Sequence, residues 1–276
     1  MSNVNEKVIL VTGASSGIGR ACAERLAHLG HRVYGTSRRA PFPPAPAPPG
    51  APTMLPLDVD QDESVQRAVS FIIEQAGRLD VVVNNAGFGI GGALEDCSIE
   101  EARALFETNF FGVLRVCRAA LPVMRQQGGG TIINISSLGG IIALPFQALY
   151  SASKFAVEGL SEALRMEVQP LGIHVVLVEP GDTRTGFTDA RRKSPATPQN
   201  PAYAEACARA LKVAESDERS GASPEQVARV VERIVHQRSP RPRYRVGPAF
   251  QKLAVVLKSI LPNRLFLWAL SKYYRL

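Results

Sequence analysis

Cysteine is scarce and scattered: Cys22, Cys97, Cys117 and Cys207 are the four in 276 residues, with no C-x-x-C pair among them. That excludes a zinc-ribbon pattern and a disulfide framework, so reduced thiols in a cytoplasmic protein without a metal are expected. Long apolar runs are lacking as well. None reaches the ~18 residues that a spanning helix needs. Met1 to Lys7 is polar and leads directly into an apolar run, the pattern of a chain without a leader peptide. Disorder throughout is excluded, because 45% of the residues are hydrophobic and 21% charged. Acid is missing altogether from Arg233 to Leu276, which holds ten Lys/Arg. The first 232 residues carry 22 Lys/Arg against 25 Asp/Glu, or −3, so the formal charge of +7 belongs to the tail and no nucleic-acid partner is expected.

What is present suits one α/β domain with a large core. Val8-Ile9-Leu10-Val11 reads as a buried parallel strand and delivers the chain into Thr12-Gly13-Ala14-Ser15-Ser16-Gly17-Ile18-Gly19, with a helix after it. Glycines at such a junction let the backbone approach a pyrophosphate, and the free N–H groups of a helix N-terminus favour its charge. The spacing is G-x-x-x-G-x-G rather than the common G-x-G-x-x-G. His31 to Thr36 is the second strand. An NAD site places an acid just beyond it for the ribose 2′-hydroxyl; here Ser37-Arg38-Arg39 stand instead. Guanidinium forks suit a 2′-phosphate, so NADP(H) is expected over NAD(H), with solvated loop arginines as the alternative.

Pro41 to Pro52 has seven prolines in twelve positions, which excludes a helix where a crossover helix would stand. Met54 to Leu57 is the third strand. Asp58-Val59 follows, a carboxylate within reach of an adenine amino group or else an N-cap for the helix over 61–76. Leu79 to Val83 is the fourth strand, ending in Asn84-Asn85-Ala86-Gly87. Ile99 to Arg125 has helical periodicity with Asn109 inside it, a polar residue that needs partners once buried. Thr131 to Ile135 is the fifth strand and runs into Ser136-Ser137. Then comes Tyr150-Ser151-Ala152-Ser153-Lys154, whose spacing puts a phenol and an ammonium on one face of a helix. The ammonium favours the phenolate, which makes the tyrosine a candidate acid or base near neutral pH; alone, such a pair is more often a solvated surface contact.

Gly13/Gly17/Gly19, Asn84-Asn85-Ala86-Gly87, Asn109, Ser137, Tyr150/Lys154 and Pro180-Gly181, in that order, resemble the short-chain dehydrogenase/reductase family over residues 5–185. Within it, Gly139 to Leu164 looks most like the 17β-hydroxysteroid and retinol dehydrogenase branch. The resemblance implies a single doubly wound, Rossmann-like α/β domain with a seven-stranded, mostly parallel sheet, and reversible reduction of a carbonyl to an alcohol. It implies that Tyr150 donates the proton, Ser137 hydrogen-bonds the carbonyl oxygen, Lys154 holds the nicotinamide ribose, and Asn109 positions a water that reloads the proton. Cofactor contacts are implied at Gly13, Ser15, Ser16, Gly17, Ile18, Gly19, Ser37, Arg38, Asp58, Val59, Asn85, Ala86, Gly87, Tyr150, Lys154, Pro180, Gly181 and Thr183. Leu144, Phe146 and Phe187 would line an apolar pocket for a steroid-, retinoid- or acyl-like substrate. The alternatives are a 3-oxoacyl thioester reductase and an NADPH-binding protein without turnover. The family's habit of pairing through the helices of residues 101–127 and 149–169 implies a homodimer or homotetramer.

Ile173 to Val178 is the sixth strand, and Tyr244-Arg245-Val246 the seventh. Between them Gly186 to Gly221 reads as an irregular lid around one short helix, Tyr203 to Ala214, and Ser223-Pro224-Glu225 as a helix N-cap. A catalytic domain of residues 1–248, with its lid at about 186–222, is followed by a helical extension, 249–276. There Leu253 to Leu257 and Leu265 to Leu270, divided by Pro262, alternate with Lys252, Lys258, Arg264, Lys272 and Arg275. Such a tail either packs over the pocket or lies as an interfacial helix on an anionic membrane surface.

Overall fold

Short runs of Val, Ile and Leu without polar alternation stand side by side at the centre, as strands covered on both faces must. A computed structural model describes residues 6–276, so the reading of a leaderless N-terminus lies mostly outside the described residues. The strands are β1 (Val8–Val11), β2 (Arg32–Ser37), β3 (Thr53–Pro56), β4 (Val81–Asn84), β5 (Ile90–Gly91), β6 (Gly130–Ile135), β7 (Ile173–Pro180), β8 (Arg192–Lys193) and β9 (Arg243–Val246). Seven form one sheet in the order β3-β2-β1-β4-β6-β7-β9, and every neighbouring pair is parallel. The expected "mostly parallel" sheet is therefore wholly parallel. The two-residue strands β5 and β8 pair with each other, apart from it.

The helices are α1 (Gly17–His28), α2 (Asp62–Ala76), α3 (Ile99–Phe106), α4 (Gly112–Gln126), α5 (Ala148–Val168), α6 (Phe187–Ala190), α7 (Ala204–Ser220), α8 (Pro224–His236), α9 (Ala249–Ile260) and α10 (Asn263–Tyr273). Alternate residues of one strand serve two cores. Ile9 and Val11 pack with Leu26 of α1 and Val227 and Val231 of α8. Val8 and Leu10 pack with Ile72, Val116 and Val157 from α2, α4 and α5. Strand order reverses between β1 and its neighbours β2 and β4, so the crevice for a ligand lies at the carboxyl ends of these strands.

Several expectations change in detail. Residues 99–125 are not one α-helix: Glu107–Phe111 is a π-helical segment between α3 and α4, and Asn109 sits in it. The region 186–222 is more ordered than an irregular lid, since α7 runs seventeen residues, well past Ala214. Asp58 is not the N-cap of α2; Gln61 holds that position, and Asp58 Oδ1 accepts from Asp60 N at 3.2 Å. Ser223 stands at the N-cap of α8 with proline next, but its side chain makes no capping bond. The proline-rich stretch does connect β2 to β3 without a helix.

Candidate active site

The loop after β1 is locked to the end of β4. Thr12 Oγ1 accepts from the backbone N–H of Asn85 (2.9 Å) and Ala86 (3.0 Å), and Asn85 Nδ2 donates to Thr12 O (3.0 Å) and Gly13 O (3.2 Å). Gly13 and Gly17 take φ of +65° and +53°, where a side chain is strained. Gly19 is needed for another reason. A Cβ there would lie 2.3 Å from Gly13 O and 2.4 Å from Asn85 Nδ2, so it packs beneath the loop and does not line the cavity. Ser16, the N-cap of α1, makes no side-chain cap bond, which leaves the first amides of the helix for an anion.

Above this loop opens a cavity of about 980 Å³, large enough for a dinucleotide half and a substrate half. It brings together Gly13, Ser15, Ser16, Gly17, Ile18, Ser37, Arg38, Asp58, Val59, Asn85, Ala86, Gly87, Ser137, Leu144, Tyr150, Lys154, Pro180, Gly181, Thr183 and Phe187. A cradle that excludes Cβ atoms and uncapped helix amides fit the pyrophosphate of a nicotinamide dinucleotide, and Arg38 and Arg39 line the cavity at the end of β2. Beside Arg38, burial raises the Asp60 carboxyl above its ordinary range, and Thr108 donates to Asp60 Oδ2 at 3.0 Å.

Tyr150 and Lys154 rise from the first turns of α5, both buried. Burial pushes the Tyr150 phenol up to about 12, against a lowering from the Ser137 hydroxyl, and lowers the Lys154 ammonium to about 8. Lys154 Nζ donates to Ile135 O at 2.9 Å and lies 6.0 Å from the centre of the Tyr150 ring. Burial outweighs the Ser137 hydroxyl, so the phenol keeps its proton at neutral pH. Ser137 Oγ accepts from Gly139 N at 2.9 Å, which leaves its own hydrogen to donate. A Cβ on Gly139 would stand 3.2 Å from Ser137 Oγ and 3.3 Å from Tyr150 Cε1, so the two face one another across that glycine.

Asn109 is buried behind the cavity wall. Its Oδ1 accepts from Phe88 N, and its Nδ2 donates to Phe88 O, each at 3.0 Å, and to Ser153 Oγ at 3.1 Å. The π-turn carries this amide to both the loop after β4 and α5. Phe146 does not reach the cavity. It takes a left-handed φ of +57° and packs 6.5 Å from Tyr203, centre to centre.

The remaining wall was not foreseen residue by residue. The extension folds back over the pocket: Ala254, Leu257, Leu261, Phe266, Leu270 and Tyr274 from α9, α10 and their flanks line it. Val255 and Phe266 bury against Leu138 and Ile142. Asp182, after β7, and Glu218, near the end of α7, add two carboxylates. Only the apolar composition of 249–276 signalled any of this. Among the described residues no cluster of His, Cys, Asp and Glu is able to hold a metal ion.

The family model for short chain dehydrogenases matches residues 7–196. The chain belongs to the short-chain dehydrogenase family. It is an oxidoreductase, and in this family the reaction is carried by a nicotinamide cofactor. Two curated members are the 3-ketodihydrosphingosine reductase of Bacteroides thetaiotaomicron, 49% identical over 97% of this chain and 98% of that protein, and the retinol dehydrogenase 8 of Bos taurus, 34% identical over 93% and 86%. Among solved short-chain dehydrogenases, one from Streptomyces avermitilis superposes with a TM-score of 0.82, is 35% identical and covers 100% of this chain and 99% of that one. Another, from Burkholderia phymatum in complex with NAD, gives 0.77 at 28% identity, with 94% and 95% covered.

Proposed function

We propose that this short-chain dehydrogenase uses NADPH to reduce the ketone of a long-chain lipid, namely 3-ketodihydrosphingosine or a close relative. The observation that carries the reading is that Ser137, Tyr150 and Lys154 line one cavity with the apolar inner faces of α9 and α10. Likeness along the whole length to a 3-ketodihydrosphingosine reductase then selects among lipophilic ketones, ahead of the steroid and retinoid classes.

When bound, NADPH supplies the hydride. Tyr150 gives its phenolic proton to the carbonyl oxygen as that oxygen gains charge; with its acidity held near 12, the phenol is fully protonated at pH 7. Ser137 donates its hydroxyl hydrogen to the same oxygen while its Oγ accepts from Gly139 N–H. Lys154, titrating near 8, is charged at pH 7, holds the nicotinamide ribose, and stabilises the phenolate left after proton transfer. Asn109 fixes the helix that carries Tyr150 and orders the route by which water reprotonates it. Arg38 and Ser37 take the 2′-phosphate, Asp58 and Val59 the adenine, and Thr183, Pro180 and Gly181 the nicotinamide side.

Residues 186–222 serve as the lid and 249–276 as a wall of the substrate site. The tail's outer face supports contact with a membrane: Leu253, Ile260 and Trp268 are 55%, 68% and 60% exposed beside basic side chains. No helix among the described residues is long and apolar enough to cross one. Exposed Phe111 and Met166 on the outer sides of the π-turn and α5 support pairing of subunits. The deciding experiment follows nicotinamide absorbance with 3-ketodihydrosphingosine, a 17-ketosteroid, retinal and a 3-oxoacyl thioester, with products identified by mass spectrometry. Turnover of the thioester or steroid alone would replace the lipid reading, and turnover of none would favour a binding protein.

A further inference from the structure

Two carboxylates interrupt the apolar half of the cavity, and their situations differ. Glu218 has both oxygens engaged: Oε1 accepts from Arg191, and Oε2 from Thr188 Oγ1 at 2.7 Å. Asp182 has one. Its Oδ2 accepts from Gln251 Nε2, whereas Oδ1 has no protein partner among the described residues and the side chain lines the cavity. Its backbone is held from two sides, with Asp182 N donating to Gln251 Oε1 at 3.0 Å and Asp182 O accepting from Ala222 N at 2.9 Å. The carboxylate therefore has a fixed position just beyond β7, at the carboxyl edge of the sheet.

Charge around it is unbalanced. Asp182, Asp217 and Glu218 act on one another, and the cation among them is Arg191, already paired with Glu218. Tyr273 gives only a neutral hydroxyl to Asp217. Glu218, Arg191 and Asp182 act electrostatically on the Tyr150 phenol, and Asp182 and Glu218 line the same cavity as Ser137 and Tyr150. Burial and the neighbouring acids hold the Asp182 carboxyl up at about 7, so a positive ligand group would relieve the site by favouring its ionised form.

We propose that Asp182 is a specificity-determining residue which accepts, through its free Oδ1, a cationic amino group borne next to the reacting carbonyl, so that the site selects long-chain amino ketones over neutral ketones of the same length. This rests on the reading of the cavity as the site of a lipid ketone reductase, and it assigns the polar head of that substrate.

The alternative role for Asp182 is a tether of α9 to the sheet through Gln251, and two variants separate the roles. Asp182→Asn keeps an oxygen for Gln251 Nε2 and removes the charge; Gln251→Ala breaks the tether and keeps the charge. The readout is the ratio of kcat/KM for 3-ketodihydrosphingosine to kcat/KM for octadecan-3-one, both with NADPH at pH 7.5. In Asp182→Asn the ratio is expected to fall at least about tenfold, mainly through KM of the amino ketone, as for loss of one charge-assisted hydrogen bond. In Gln251→Ala it is expected to stay within about twofold, even where thermal stability drops. An unchanged ratio in Asp182→Asn, or an equal fall in both variants, overturns the inference while the lipid reading stands. Failure of the unaltered enzyme to reduce the amino ketone overturns both.

Discussion

Lys154→Met is expected to make the protein more stable while abolishing its turnover. The ammonium is buried, has no carboxylate within ion-pair distance, and donates to Ile135 O. Its folded-state value of about 8 lies 2.5 below the ordinary 10.5. At ~1.36 kcal/mol per unit, that is about 3 kcal/mol of strain carried at neutral pH. Methionine fills similar space without charge but leaves Ile135 O without this donor, at a cost of about 1 kcal/mol. The balance is a gain of roughly 2 kcal/mol, or about 4 °C in Tm for a chain of this size. Its pH dependence carries the argument. Between pH 8 and 10.5 the unfolded chain binds the lysine proton and the folded chain does not, so stability of the parent rises with pH through that window. Below pH 8 the full penalty is present. Chemical denaturation of both proteins without cofactor at pH 7, 8.5 and 10 should thus show the variant's advantage shrinking as pH rises. An advantage that is absent at pH 7, or that does not change with pH, would refute the desolvation account of Lys154.

Tyr150→Phe should lower kcat at least ~100-fold with little change in NADPH affinity, because the ring stays and only the proton donor goes; comparable turnover of an accepted ketone would remove the phenol from the chemistry. Arg38→Ala should weaken NADPH by ~1.5–3 kcal/mol and NADH much less, measured by fluorescence titration; equal losses would show that the guanidinium does not meet the 2′-phosphate. Leu253→Gln with Trp268→Gln should reduce flotation of the full chain with anionic liposomes at low salt, and 0.5 M salt should do the same to the parent; a parent that does not float confines the tail to its packing role. Light scattering at micromolar concentration should give a dimer or tetramer, and a monomer would contradict subunit pairing through α4 and α5.

The buried strands β1, β4 and β6 were legible because each is a run of Val, Ile or Leu between polar signals, and a wholly parallel sheet leaves few ways to read such runs. The glycine loop and the Tyr150/Lys154 pair were legible because their spacing is local. What escaped depends on atoms brought together from afar. Lys154 meets the backbone carbonyl of Ile135, nineteen residues away, and no side-chain pattern marks a carbonyl. Phe146 leaves the cavity because its backbone turns left-handed, which an apolar residue does not announce. Asp182 and Glu218 converge from the loop after β7 and the last turn of α7, with no fixed spacing. The tail's two apolar segments were visible, but its position over the pocket follows from contacts of Val255 and Phe266 with Leu138 and Ile142.

The π-helical segment also sets a phase relation along its helix. Upstream, Leu105 is seated with Ile90 and Tyr150; downstream, Val113, Val116, Cys117 and Ala120 are seated on the sheet. At 3.6 residues per turn, one residue is worth about 100° of rotation. Removing a single position from Glu107–Phe111 would let the turn relax to regular α-helix, but would swing one of the two apolar faces by that angle into solvent. The widened turn therefore acts as a rotational adaptor between two halves that each fit a different part of the molecule, and Asn109 is aimed at Phe88 and Ser153 only while both halves stay in phase.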